Sequence, residues 1–171
     1  MRVFLVGYMG AGKTTIGKAL ARKLGFKFID LDHAFEEKYK ISISLFFSKY
    51  DQKSFRKLES ELLNEYLAVE SYVISTGGGL PCFFDNMDKI TEYGAAVYLK
   101  LSPKALLHRL THSKKTRPLI QDKNPQELIE FIETQLKERE LYYNRAQYIV
   151  DGINLDLDSL VRIIKEDFNL S

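Results

Sequence analysis

Short apolar runs recur at residues 3–6, 26–31, 72–75, 96–101 and 148–150, and between them lie longer stretches with apolar residues at helical spacing. The brief continuous runs read as buried strands and the intervening stretches as amphipathic helices. Ile16, Leu20 and Leu24 mark one such helix, which Gly25 closes. Further helices are predicted over about 52–69, 125–143 and 157–168, the last with Asp156 as its N-cap. Strands alternating with helices predict an α/β fold, with a parallel sheet covered on both faces. The stretch 111–124 carries neither period, is polar and basic, and contains Pro118. A loop of this length reads as a lid over a site or as a plain surface loop.

The chain has 171 residues, 45% of them hydrophobic, which predicts one domain able to bury its own core. Lys and Arg total 25 against 23 Asp and Glu, a net charge of +2. No global field advertises nucleic acid or an anionic membrane, so any anion site must be local. The single cysteine, Cys82, has no thiol partner for a disulfide or a zinc pair, which fits a reducing compartment. No apolar stretch approaches the roughly 20 residues of a membrane span, and the N-terminal run is too short for a signal peptide core. A soluble, cytoplasmic monomer is expected.

The first apolar run leads directly into Gly7-Tyr8-Met9-Gly10-Ala11-Gly12-Lys13-Thr14, and the Ile16/Leu20/Leu24 helix follows. This is the strand, glycine turn and helix that the G-x-x-x-x-G-K-[ST] pattern requires. Gly10, Ala11 and Gly12 would offer backbone N–H groups to a nucleoside triphosphate, with Lys13, Thr14 and Thr15 at the helix start. Lys13 would reach the β- and γ-phosphates, and the Thr14 hydroxyl would ligate Mg²⁺. A nucleotide switch would use the same cradle, but the chain has no Asn-Lys-x-Asp tetrapeptide for reading guanine.

Other residues point to a second substrate. Phe28, Asp30 and Asp32 are spaced by two and are expected on one face of the second strand end. Asp30 would serve Mg²⁺ through water and Asp32 an acceptor hydroxyl, unless one of them caps the next helix. Arg56 and Glu59, three apart, fall on the edge of an apolar stripe formed by Phe55, Leu58, Leu62 and Tyr66. They read as an arginine held for a ligand carboxylate or phosphate, or as an intrahelical ion pair. With Leu128 at 0°, Arg139 falls near ~20° on the helical wheel, inside the stripe of Ile132, Leu136 and Tyr143, so it needs an anion from substrate or core. Ser75 and Thr76 precede Gly77-Gly78-Gly79, where a small ligand can lie on bare backbone. Ser75 is placed to hold a water of the Mg²⁺ shell. Arg117, beside Lys114 and Lys115, would neutralise a transferring phosphoryl group on lid closure.

Taken together, GYMGAGKTT, FIDLD at 28–32, FRKLE at 55–59, STGGG at 75–79, TRPLI at 116–120 and Arg139 with 142–146 resemble the shikimate kinase family over nearly the whole chain. The resemblance implies a P-loop, nucleoside-monophosphate-kinase-like fold with five parallel strands in the order 2-3-1-4-5. It also implies transfer of the ATP γ-phosphate to the 3-hydroxyl of shikimate. Asp32 would then bind shikimate hydroxyls, Arg56 and Arg139 its carboxylate, and Gly78 and Gly79 its ring through backbone. Arg117 would act on the phosphates, and Arg109 would contact adenine. The acceptor region would span about 32–69. Two departures from the family pattern stand out: Asp51-Gln52 followed by Lys53-Ser54 where Gly-Glu is common, and no glycine around Lys40-Ile41. A gluconate-type kinase and a nucleotide-binding regulatory module remain the alternatives.

Overall fold

Val3 to Val6 are fully buried, and they form most of the central strand of one parallel sheet. The computed structural model of the chain describes residues 1–113, 120 and 122–170. The strands are β1 (Arg2–Val6), β2 (Lys27–Asp30), β3 (Tyr72–Ser75), β4 (Ala95–Lys100) and β5 (Tyr148–Asp151), in the order β2-β3-β1-β4-β5. All neighbours pair in parallel, and Leu5 stands opposite Ser75, which in turn stands opposite Asp30. The helices are α1 (Lys13–Leu24), α2 (Leu31–Tyr39), α3 (Ile43–Lys49), α4 (Gln52–Tyr66), α5 (Asn86–Tyr93), α6 (Pro103–Thr111), α7 (Pro125–Tyr143) and α8 (Leu157–Asp167).

The connection from β1 to β2 runs one way along the sheet, and those from β2 to β3, β3 to β4 and β4 to β5 run the other way. Right-handed crossovers therefore place α1 on one face and the later crossover helices, α2 to α7, on the opposite face. The last helix, α8, packs on α1, and α6 packs on α7. Both faces are covered, which is why β1 and β4 read as continuous apolar runs.

Local chemistry sets several boundaries. The sequence placed Asp32 on the second strand, but β2 ends at Asp30, because Asp30 caps α2 and its Oδ1 accepts from the Asp32 N–H at 3.1 Å. Asp32 therefore lies in the first turn of a helix, and the capping alternative describes Asp30. The α4 helix stops at Tyr66, three residues short of the expected end. It starts from Asp51, whose carboxylate accepts from the Ser54 N–H at 2.7 Å and from its hydroxyl at 3.1 Å. The departure at 51–54 is thus a well-formed cap. Where a glycine would close α2, Lys40 takes φ 54° and ψ 35°, the left-handed region.

The α3 helix is short, starts from the Ser42 cap and adds Phe46 and Phe47 to an aromatic cluster with Phe35, Tyr39 and Phe55. This small core supports the start of α4. Asn124 and Glu127 form a reciprocal capping box that opens α7 at Pro125.

Candidate active site

The loop after β1 turns back on itself before α1. Gly10 and Gly12 take φ of +80° and +95°, a region that L side chains rarely adopt, and Gly12 is the N-cap of α1. The first turn of α1 holds no acidic residue, so its positive end is left for an anion. Lys13 Nζ donates to the carbonyls of Gly7 at 2.7 Å and Tyr8 at 2.9 Å, which folds the lysine over the loop. Behind the loop, Arg109 donates to the Ala11 carbonyl at 2.9 Å and the Gly152 carbonyl at 3.1 Å. Thr14 Oγ1 donates to Asp30 Oδ2 at 2.7 Å, and Ser75 is buried beside Asp30 in the sheet. A hydroxyl and a carboxylate side by side at the cradle form an all-oxygen donor set, which fits Mg²⁺. Thr15 is exposed on the first turn.

The second half of the site is built around the glycines after β3. A β-carbon at Gly77 would stand 2.7 Å from both Asp32 Oδ1 and Glu59 Oε1. At Gly79 it would stand 2.5 Å from Arg56 Nη2, and at Gly78 it would meet Arg139 Nη1 at 3.2 Å and the Met9 nitrogen at 3.4 Å. The triplet thus draws two guanidinium groups, two carboxylates and the phosphate loop to one place. Thr76 secures it by donating to the Leu5 carbonyl from both its N–H and its hydroxyl. Asn86, fully buried, accepts from the Ser60 hydroxyl at 2.7 Å and donates to the Leu80 carbonyl at 2.9 Å, anchoring the 3-10 turn Leu80–Cys82.

The two arginines are held differently. Arg56 donates to Glu59 Oε2 at 2.7 Å, its guanidinium lies 4.5 Å from the Phe83 ring centroid, and its Nε is buried without a hydrogen-bond partner among the described residues. Glu59 is only 4% exposed and belongs to the buried face of α4, whereas Arg56 is partly exposed at its edge. Burial pushes the Glu59 carboxyl up to about 7 against the pull of Arg56, with Asp32 adding to the rise. Arg139 lies over the Tyr8 ring, 5.2 Å from its centroid, and makes no ion pair with any described carboxylate. Two cations facing bare backbone make a pocket for an anionic group.

Lys13, Thr14 and Asp30 therefore lie on the phosphate side, and Asp32, Arg56, Gly78, Gly79 and Arg139 on the other. Arg109 braces the cradle from behind. Arg117, Lys114 and Lys115 lie outside the described residues. Sequence reading missed Asn86, Gln135 and the side chain of Tyr8; Ser60 lies 26 residues from Asn86 and Gln135 lies 127 from Tyr8, so neither pairing leaves a local signal. A cavity of about 730 Å³ between α7 and β5, lined by Lys100, Leu136, Lys137 and Val150 among others, includes none of the site residues.

A phosphate loop opening a helix, beside a backbone-lined anion pocket in a 2-3-1-4-5 parallel sheet, defines a P-loop kinase with a nucleoside-monophosphate-kinase-like fold. Residues 9–167 match the family model for shikimate kinase. The chain is 49% identical over 174 residues to a shikimate kinase of Bacteroides fragilis, covering 99% of this chain and 97% of that protein. The crystal structure of shikimate kinase from Bacteroides thetaiotaomicron superposes with a TM-score of 0.90 at 42% identity, covering 99% of both chains. The solved structure of shikimate kinase from Acinetobacter baumannii in complex with shikimate gives 0.84 at 34% identity, covering 98% of this chain and 93% of that one. The chain belongs to the shikimate kinase family.

Proposed function

We propose that the protein transfers the γ-phosphate of ATP to the 3-hydroxyl of shikimate, giving shikimate 3-phosphate and ADP, a step of aromatic amino acid biosynthesis. The observation that carries this reading is the convergence of Arg56 and Arg139 on the Gly78–Gly79 backbone, beside both Asp32 and the phosphate loop. The two guanidinium groups would hold the shikimate carboxylate. That orients the ring so that a hydroxyl reaches Asp32, which positions it and takes its proton as the oxygen attacks phosphorus. Lys13 would exchange the carbonyls of Gly7 and Tyr8 for the phosphates. Arg117 would meet the charge that develops on the transferring group. Thr14, with Asp30 and Ser75 acting through water, would hold Mg²⁺, which when bound neutralises phosphate charge and orients the γ-phosphate.

No helix among the described residues is long and apolar enough to cross a membrane. We assign the protein to the cytoplasm as a monomer, with a small molecule rather than nucleic acid or membrane as its partner. The test is ADP release from Mg·ATP with shikimate, gluconate, shikimic alcohol, which lacks the carboxylate, or no acceptor. Release is expected with shikimate alone. Equal release with shikimic alcohol would remove the carboxylate clamp, and release independent of acceptor would favour a nucleotide-driven regulatory module.

A further inference from the structure

Gln135, Arg139 and Tyr143 follow one another at four-residue steps along α7, and so share one face of the helix. Each engages the site. Gln135 Oε1 accepts from the Tyr8 hydroxyl at 2.7 Å, the Arg139 guanidinium covers the Tyr8 ring, and the Tyr143 hydroxyl donates to the Gly78 carbonyl. Tyr8 is 1% exposed although it belongs to the phosphate loop, and its own carbonyl receives Lys13 Nζ. One residue therefore contacts both the cation meant for the phosphates and the cation meant for the acceptor.

The choice of an aromatic seat has a physical consequence. Arg56 already shares its charge with Glu59, whereas Arg139 rests between the Tyr8 ring and the Gly78 backbone with no described carboxylate paired to it. A ring face holds a guanidinium by its quadrupole and fixes the plane of the group without neutralising it. With Glu59 acting on it only from beyond ion-pair distance, the guanidinium can receive an incoming anion.

The geometry points to Tyr8 as a positioning residue that sets the pose of Arg139 for the acceptor carboxylate through a cation–π contact. This inference rests on the reading of Arg139 as part of the carboxylate clamp. It makes the phosphate loop a determinant of acceptor affinity as well as of nucleotide binding.

The experiment replaces Tyr8 with phenylalanine and with phenylalanines carrying increasing numbers of ring fluorines, which preserve ring shape while withdrawing charge from the face. Tyr8→Leu and Arg139→Ala are measured alongside, with shikimate and its carboxamide as acceptors. Tyr8→Phe should keep the shikimate KM near that of the unaltered protein. Fluorination should raise it stepwise, and Tyr8→Leu should raise it about tenfold, the size of one partly desolvated cation–π contact. The ATP KM and the KM for the carboxamide should stay flat. A shikimate KM indifferent to fluorination and to Tyr8→Leu, with Arg139→Ala still raising it, would overturn the role of Tyr8 and leave the clamp intact. An unchanged KM in Arg139→Ala would overturn the clamp and this inference with it. ATP and shikimate KM values rising together would also overturn it, by showing a general disturbance of the loop.

Discussion

Gly79→Ala isolates the contribution of arginine placement. The backbone at Gly79 has φ −88° and ψ −21°, which alanine adopts freely, so the substitution introduces no conformational strain. Its methyl group would stand 2.5 Å from Arg56 Nη2 and 2.7 Å from Cζ. Carbon and nitrogen settle near ~3.5 Å, so the guanidinium must withdraw by about 1 Å. It is the end of a long side chain and can swing, stretching the ion pair to Glu59 without losing it. Alanine also narrows the unfolded ensemble, and the net stability change is expected to stay under about 2 kcal/mol. A misplacement of this size in a substrate-orienting group costs about a hundredfold in rate. Steady-state kinetics should therefore show kcat/KM for shikimate falling by about two orders of magnitude with the ATP KM unchanged, while thermal unfolding shifts by less than about 8 °C. Full activity in a stably folded variant would refute the reasoning, because it would mean that the position of Arg56 against the triplet has no bearing on the acceptor.

Three further outcomes are expected. Lys13→Ala should fold, since the Gly7 and Tyr8 carbonyls it donates to lie in the loop rather than in the core, yet lose at least about a hundredfold in turnover; this is checked by circular dichroism and ADP release. Glu59 has a folded-state pKa raised from 4.5 to about 7, so its protonated form favours the fold; that stabilisation is complete below about pH 4.5 and is lost as pH rises to about 7. Glu59→Gln should flatten this part of the pH-stability curve in denaturant titrations, and an unaltered curve would contradict the assigned burial. Lys40→Gly should raise stability by about 0.5–1 kcal/mol by relieving the left-handed cap of α2, measured as an increase of a few degrees in Tm.

The readable parts of this protein are those encoded over short distances. The five strands, the phosphate loop and the start of α7 at Pro125 each occupy one local window, in which apolar runs and caps agree with the final fold. Arg139 was legible because helical periodicity places it in an apolar stripe. Asp32 lies on α2 rather than on the strand because alternation and helix capping both fit residues 28–32, and the Asp30 carboxylate decides for the cap. The burial of Glu59 depends on Gly77, and the contact of the Tyr8 ring with Arg139 joins opposite ends of the chain, so neither is present in any single stretch of sequence.

The pairing of β1 with β3 bears on how the enzyme can diversify. The loop proposed to grip the phosphates leaves β1, the glycine triplet proposed to carry the acceptor leaves β3, and Leu5 and Ser75 stand level across the ladder. Strands in a sheet keep a spacing of about 4.8 Å whatever side chains they carry. The sheet is thus a ruler between donor and acceptor, graduated in peptide hydrogen bonds. Residues on α2, α4 and α7 can be exchanged to admit a different acceptor while the distance a phosphoryl group must travel stays the same.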